Sequence, residues 1–189
     1  MRTIATLVFG YAMTLSLPLW GQGKAEMRYT IQVTGRVLGE FDGEPVKGAI
    51  VIVRRGTHSE EMHKVARNGK YTVELARGSN YEIIYSAPGQ VAKRVVIDTR
   101  GAPAMLDVPT ITMVVDITLF PPIEGLDTRL FTEPMGKAGY KHSVRNIVWD
   151  KEYGEEMRAR IKRYMAGHDT VSYTHLKRIM DRQRPENLD

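Results

Sequence analysis

Cysteine is absent from all 189 residues. That excludes a disulfide, a thiolate metal site, a thiol nucleophile and attachment to a membrane through an acylated cysteine. Runs of one charge are missing too: 27 basic residues outnumber 22 acidic ones, for a net charge of +5, but they are spread along the chain. A dispersed excess of this kind fits a mixed solvated surface better than a nucleic-acid footprint. There is no glycine-rich phosphate loop ahead of a helix and no serine in a glycine-flanked elbow. Beyond residue 25 nothing approaches the roughly 20 apolar residues that a membrane span takes.

The first segment is different. Arg2 is followed by an apolar run over residues 4–20, with Leu7, Val8, Phe9, Leu15, Leu17 and Leu19. Thr6, Thr14 and Ser16 interrupt the run, Pro18 breaks it, and Gly21, Gly23 and Ala25 supply small residues after it. This order reads as a secretory signal peptide over residues 1–23, cleaved after Gly21/Gly23 or Gly23/Ala25, with an uncleaved anchor as the alternative. The expected localisation is export to the periplasm or cell surface, with no nucleic-acid partner and no transmembrane span after cleavage.

From Tyr29 onward the pattern is that of strands. Tyr29, Ile31, Val33 and Val37 share one side, residues 49–53 are continuous and β-branched, and residues 58–66 form a weaker, polar candidate. Asn68-Gly69 suits a tight hairpin, residues 71–75 and 81–85 alternate, and residues 91–97 and 110–120 complete the set. Seven short strands, with turn chemistry between them, predict a mainly β chain: an antiparallel sandwich over residues 28–120. Ile31, Val33, Val51, Val53, Val73, Ile83, Val96 and Ile117 are its expected core. Pro121-Pro122 ends it, and residues 121–149, with Gly125, Pro134, Gly136 and Gly139, read as an irregular linker. Asp150 can cap a helix in a helical tail over residues 150–189, ended by Gly167 and followed by a second short helix with Tyr173, Leu176, Ile179 and Met180.

Gly35-Arg36-Val37, the stretch from Gly43-Glu44-Pro45 to Ala49-Ile50-Val51, Asn68-Gly69-Lys70-Tyr71 and residues 78–81 together resemble the carboxypeptidase regulatory-like domains. These belong to the transthyretin-like, or prealbumin-like, group of sandwiches, and the resemblance covers about residues 30–100. The stretches around Asp116, Glu124, Pro134 and Trp149 look like the tails of exported Bacteroidetes proteins that carry this domain. The resemblance implies an immunoglobulin- or prealbumin-like sandwich with a C-terminal helical extension, in secretion-linked or outer-membrane-associated assemblies. The chain lacks the Tyr-Arg-Gly-Ser tetrapeptide of the transthyretin-like hydrolases.

The candidate chemistry is thin. His58 and His63 flank Glu60 and Glu61, but their spacing puts them on opposite faces of a strand, a poor geometry for one metal. His142, His168 and His175 are scattered. Adjacent carboxylates do not face each other, and Glu156 is set to pair with Arg160 one helical turn on. The expectation is therefore no catalytic, cofactor or metal residues: not an enzyme, but a binding or scaffolding module with an envelope protein as partner. The alternative is a carbohydrate-binding module, with Tyr81 and Tyr85 sharing a face for a glycan, although core packing is the commoner use of alternating tyrosines. Met157, Ile161, Tyr164 and Met165 form one face of the tail helix, and Trp149 anchors its start. Such a face has to be buried: docking on the chain's own sandwich comes first, docking of this candidate partner-binding face into a partner's groove second, and a membrane surface third. For export, N-terminal sequencing of the mature protein is expected to find a start between Gln22 and Glu26; an intact Met1 or Arg2 on envelope material overturns it.

Overall fold

The computed structural model of the chain describes residues 29–56, 59–106, 108–123 and 126–166. The leader and the second tail helix lie outside the described residues. Among the described residues ten strands and one α-helix form a mainly β sandwich with a C-terminal helix, as expected. The smaller sheet holds β1 (Thr30–Gly39), β4 (Lys70–Leu75), β7 (Thr110–Val114) and β8 (Ile117–Leu119), with β1 central. The larger runs in the order β10 (Asn146–Trp149), β9 (Pro134–Lys141), β6 (Lys93–Asp98), β5 (Asn80–Ser86), β2 (Ile50–Arg55) and β3 (Ser59–Lys64).

Period-2 alternation sets the faces. In β4 Tyr71, Val73 and Leu75 are buried while Lys70, Thr72 and Glu74 are exposed. Val33, Val51, Val73 and Ile83 are almost wholly buried, each contributing about 1.5–3 kcal/mol relative to exposure. The Asn68-Gly69 turn forms as expected, with Gly69 at φ +79° and the Lys70 N–H donating to Asn68 Oδ1. Val96, placed in the core by the sequence, points outward instead; Val95 and Ile97 are the buried pair, a shift of one residue in a strand of continuous β-branched character. Ile117 is only partly buried against the core.

Three features extend the antiparallel seven-strand expectation. β1 pairs parallel with both β7 and β8, and β6 pairs parallel with β9. The single strand expected over residues 110–120 is broken at Val115-Asp116, where the Val115 N–H donates to the Thr34 carbonyl and Asp116 Oδ1 accepts from the Arg36 N–H. Residues 121–149 are corrected most: the irregular linker contains a 3₁₀ turn (Thr128–Thr132), β9 and β10. Ala138 and Ile147 are part of the main core, so this segment completes the larger sheet rather than leaving it.

The two sheets are tied by a buried polar relay. An ideal Cβ on Gly35 would lie 2.0 Å from the Val115 carbonyl oxygen, so only glycine admits that oxygen. Gly35 faces Tyr71 across the β1–β4 ladder, and the Tyr71 hydroxyl donates to Val115 O at 2.7 Å. Its one proton being used there, Tyr71 accepts from the Tyr85 hydroxyl of the opposite sheet, also at 2.7 Å. The rings meet edge-on, 5.4 Å apart. Burial raises both phenol pKa values.

Tyr71→Phe leaves both the Tyr85 hydroxyl and the Val115 carbonyl unpaired, an expected cost of about 2–4 kcal/mol, whereas Tyr85→Phe removes one bond and should cost about 0.5–1.5 kcal/mol. Urea denaturation of the two variants checks the order, and an equal or reversed cost overturns the relay.

Candidate interaction surface

The tail helix α1 (Lys151–Ala166) starts where Asp150 caps it, Oδ1 accepting from the Tyr153 N–H at 3.0 Å. Its docking is specified by side chains. The Tyr153 hydroxyl donates to the Pro134 carbonyl at 2.7 Å, and Arg160 forms two hydrogen bonds with Glu133, both 2.7 Å. The Tyr164 hydroxyl donates to the Asp127 carbonyl. The expected pair of Arg160 with Glu156 is thus replaced by a long-range pair, which holds the Glu133 carboxyl below its ordinary pKa.

The five residues expected to meet a partner are largely engaged within the chain. Met157 is buried and Ile161 half-buried. Tyr164 packs against a second apolar cluster formed by Val91, Phe120, Ile123, Leu126 and Phe131. Met165 lies within α1, but its side chain is outside the described set. Trp149 packs on the main core and covers Gly136, where an ideal Cβ would come within 2.8 Å of the indole. Of the alternatives read from sequence, the structure shows docking on the chain's own strands. The glycan platform is corrected as well: Tyr81 and Tyr85 are buried, because alternation turns both into the sandwich. Tyr81 instead accepts from the Ala76 N–H.

Among the described residues the extension leaves clefts open beside its seam. The first, about 770 Å³, lies over the β9–β10 hairpin, with Lys137, Lys141, Lys151, Tyr140, Val144 and Val148 among its walls. Lys137 Nζ sits 4.1 Å above the Tyr153 ring, so this lysine is held in place. The second, about 670 Å³, separates Val114 and Ile117 from Met135, Trp149, Gly154 and Arg158.

Two groups that the sequence did not single out are Glu40 and Lys93. Lys93 is almost buried, its Nζ 3.3 Å from Glu40 Oε2 and 5.1 Å from the centre of the Phe120 ring. Desolvation lowers its pKa, and Glu40 opposes that shift. Glu40 also accepts from the Thr118 hydroxyl, so it ties the β1–β2 loop to both β6 and β8. His63 Nε2 lies 3.7 Å from Glu61 Oε2, and His142 meets Tyr140 edge-on. Among the described residues no group of three or more histidines and carboxylates is placed to hold a metal ion, and no helix is long and apolar enough to cross a membrane.

No protein-family model matches the chain, and no curated protein matches it. Solved structures do resemble it. The 3-chlorocatechol 1,2-dioxygenase of Rhodococcus opacus is 12% identical over 53% of this chain and 62% of its own, with a TM-score of 0.38. The pilus 2b backbone protein of group B streptococcus is 12% identical over 48% of this chain and 40% of its own, at 0.34. A candidate carbohydrate-binding protein from Bacteroides uniformis is 17% identical over 50% and 43%, at 0.34. The chain spans about three fifths of the dioxygenases it resembles, 62%, 57% and 59% of the first three. These likenesses carry no activity, ligand or partner to this chain. The expectation that the chain is not an enzyme is corrected to this extent: the structures it resembles include catechol and hydroxyquinol 1,2-dioxygenases.

The seat of the indole gives a test of how the extension is held. Gly136→Ala is expected to displace Trp149 and to cost about 1–3 kcal/mol through overpacking. Thermal melting together with a red shift of tryptophan emission checks it; unchanged emission would mean that the contact does not hold the hairpin.

Proposed function

We propose that the chain is an exported binding or scaffolding module of the cell envelope, built on a sandwich of the carboxypeptidase regulatory-like kind. The observation that carries this reading is the cleft over the β9–β10 hairpin. It lies over the β9–β10 hairpin, whose tip presents Val144 at 58% exposure, and charged residues of both signs stand along its walls. An apolar anchor point among walls of mixed charge, with Lys137, Lys141 and Lys151 against Asp150 and Glu152, suits a protein partner that sets an apolar side chain among charges of both signs. The leader-like first 23 residues support export to the periplasm or cell surface.

Tagged chain expressed in its native envelope, cross-linked and captured, tests the reading against Val144→Asp and Lys141→Glu. Each variant is expected to reduce recovery of one defined protein by about tenfold, a loss of ~1.4 kcal/mol, with an unchanged melting temperature. Equal recovery by wild type and both variants sinks it.

A further inference from the structure

Edge strands expose unpaired N–H and C=O groups, and proteins commonly guard them with charge or brevity. β3 carries Glu60, Glu61, His63 and Lys64, and β4 carries Lys70 and Glu74. β10 is four residues long and runs directly towards α1. β7 carries no charge of its own, Thr110-Ile111-Thr112-Met113-Val114 being uncharged throughout, and it is approached only at its C-terminal end, where Val114 faces Trp149 and the start of α1 across the second cleft.

The β1 ladder settles which of its groups are open. Thr30 N–H donates to Pro109 O, and Val115 N–H donates to Thr34 O. In a parallel ladder alternate residues turn both backbone groups to the partner, so Ile111 and Met113 face β1. Thr110, Thr112 and Val114 turn theirs to the open side. Ile111 and Met113 are buried in the core, while Thr112 is exposed and Val114 is 61% exposed. Just before the strand, Met105 and Val108 are 48% and 43% exposed. Three of the five large exposed apolar residues among the described residues thus lie on or beside this edge.

We propose that β7 is the pairing edge of a homodimer, in which a second copy adds its own β7 antiparallel across a two-fold axis at Thr112. This goes beyond the binding role proposed above and does not rest on it. The two-fold places Thr112 opposite Thr112 and Thr110 opposite Val114. The three outward-turned residues of each chain then meet as hydrogen-bonded pairs, about six backbone bonds in all. The exposed side chains that meet are all β-branched, a favourable cross-strand set, and no charge faces a like charge. An isologous contact needs a strand that is its own complement, and this edge meets that condition.

Sedimentation of the purified full chain across a micromolar concentration series tests the proposal. Wild type is expected to pass from monomer to dimer. Thr112→Lys and Thr112→Glu, which each put like charges face to face on the axis, are expected to weaken self-association by at least about tenfold with unchanged melting. Mixing the two variants should restore a dimer, which a contact elsewhere would not do. Hydrogen exchange adds a reading that needs no variant: the Thr112 and Val114 amides should gain protection as concentration rises. A wild type that stays monomeric, variants that dimerise like wild type, or a dimer whose β7 amides stay unprotected would each overturn it. So would protection that appears only on adding envelope extract, which assigns the edge to another chain.

Discussion

The approach of the Val115 carbonyl to Gly35 is the constraint on which the sandwich turns. The backbone oxygen enters the space that any side chain at position 35 would occupy and reaches the Tyr71 hydroxyl. Tyr71 then receives Tyr85 from the facing sheet. A polar chain of this kind is worth having in a core only when every member is satisfied, because an orphaned hydroxyl or carbonyl costs about 1–3 kcal/mol. Here the glycine, the break between β7 and β8 and the edge-on ring pair are one device. It fixes where the chain leaves β7 and how the sheets lie across each other.

The extension depends on the sandwich through packing more than through charge. Arg160 and Glu133 make a two-bond ion pair, but with side chains 35% and 46% exposed its attraction is screened by solvent. Burial of Met157 alone contributes about 1.5–3 kcal/mol. The ion pair sets the rotation of the helix, and the apolar face supplies the hold. The Phe120–Phe131 cluster beside it works the same way, with Lys93 laid over its rings and tied to Glu40.

Much of the fold was legible because alternation and turn chemistry act locally. The Asn68-Gly69 hairpin, the faces of β1, β2, β4 and β5 and the Asp150 cap all follow from neighbours in sequence. What escaped was set by contacts far along the chain. Gly136 reads as a breaker, yet it sits in β9 as the flat seat for Trp149. Arg160 has an attractive neighbour in Glu156, but the fold offers Glu133 in two-pronged geometry. Val95, Val96 and Ile97 are alike in propensity, so only the sheet could decide which faces inward. The helix face was found by periodicity, and docking on the chain's own sandwich was the first outcome read for it; which strand covers it was not legible, because β9 carries glycine and proline where alternation would have shown it.

The parallel pairing of β1 has a kinetic side. Its partners β7 and β8 lie far downstream, Asp116 being 80 positions from the Arg36 it bonds. The larger sheet likewise waits for β9 to fall in beside β6. The strand synthesised first is therefore among the last to be flanked on both sides, and loop-closure entropy must be met before these non-local ladders reward it. Contact order of this kind makes for slow folding, and β1, paired early by β4 on one side, stays open on the other until residues 110–119 are in place.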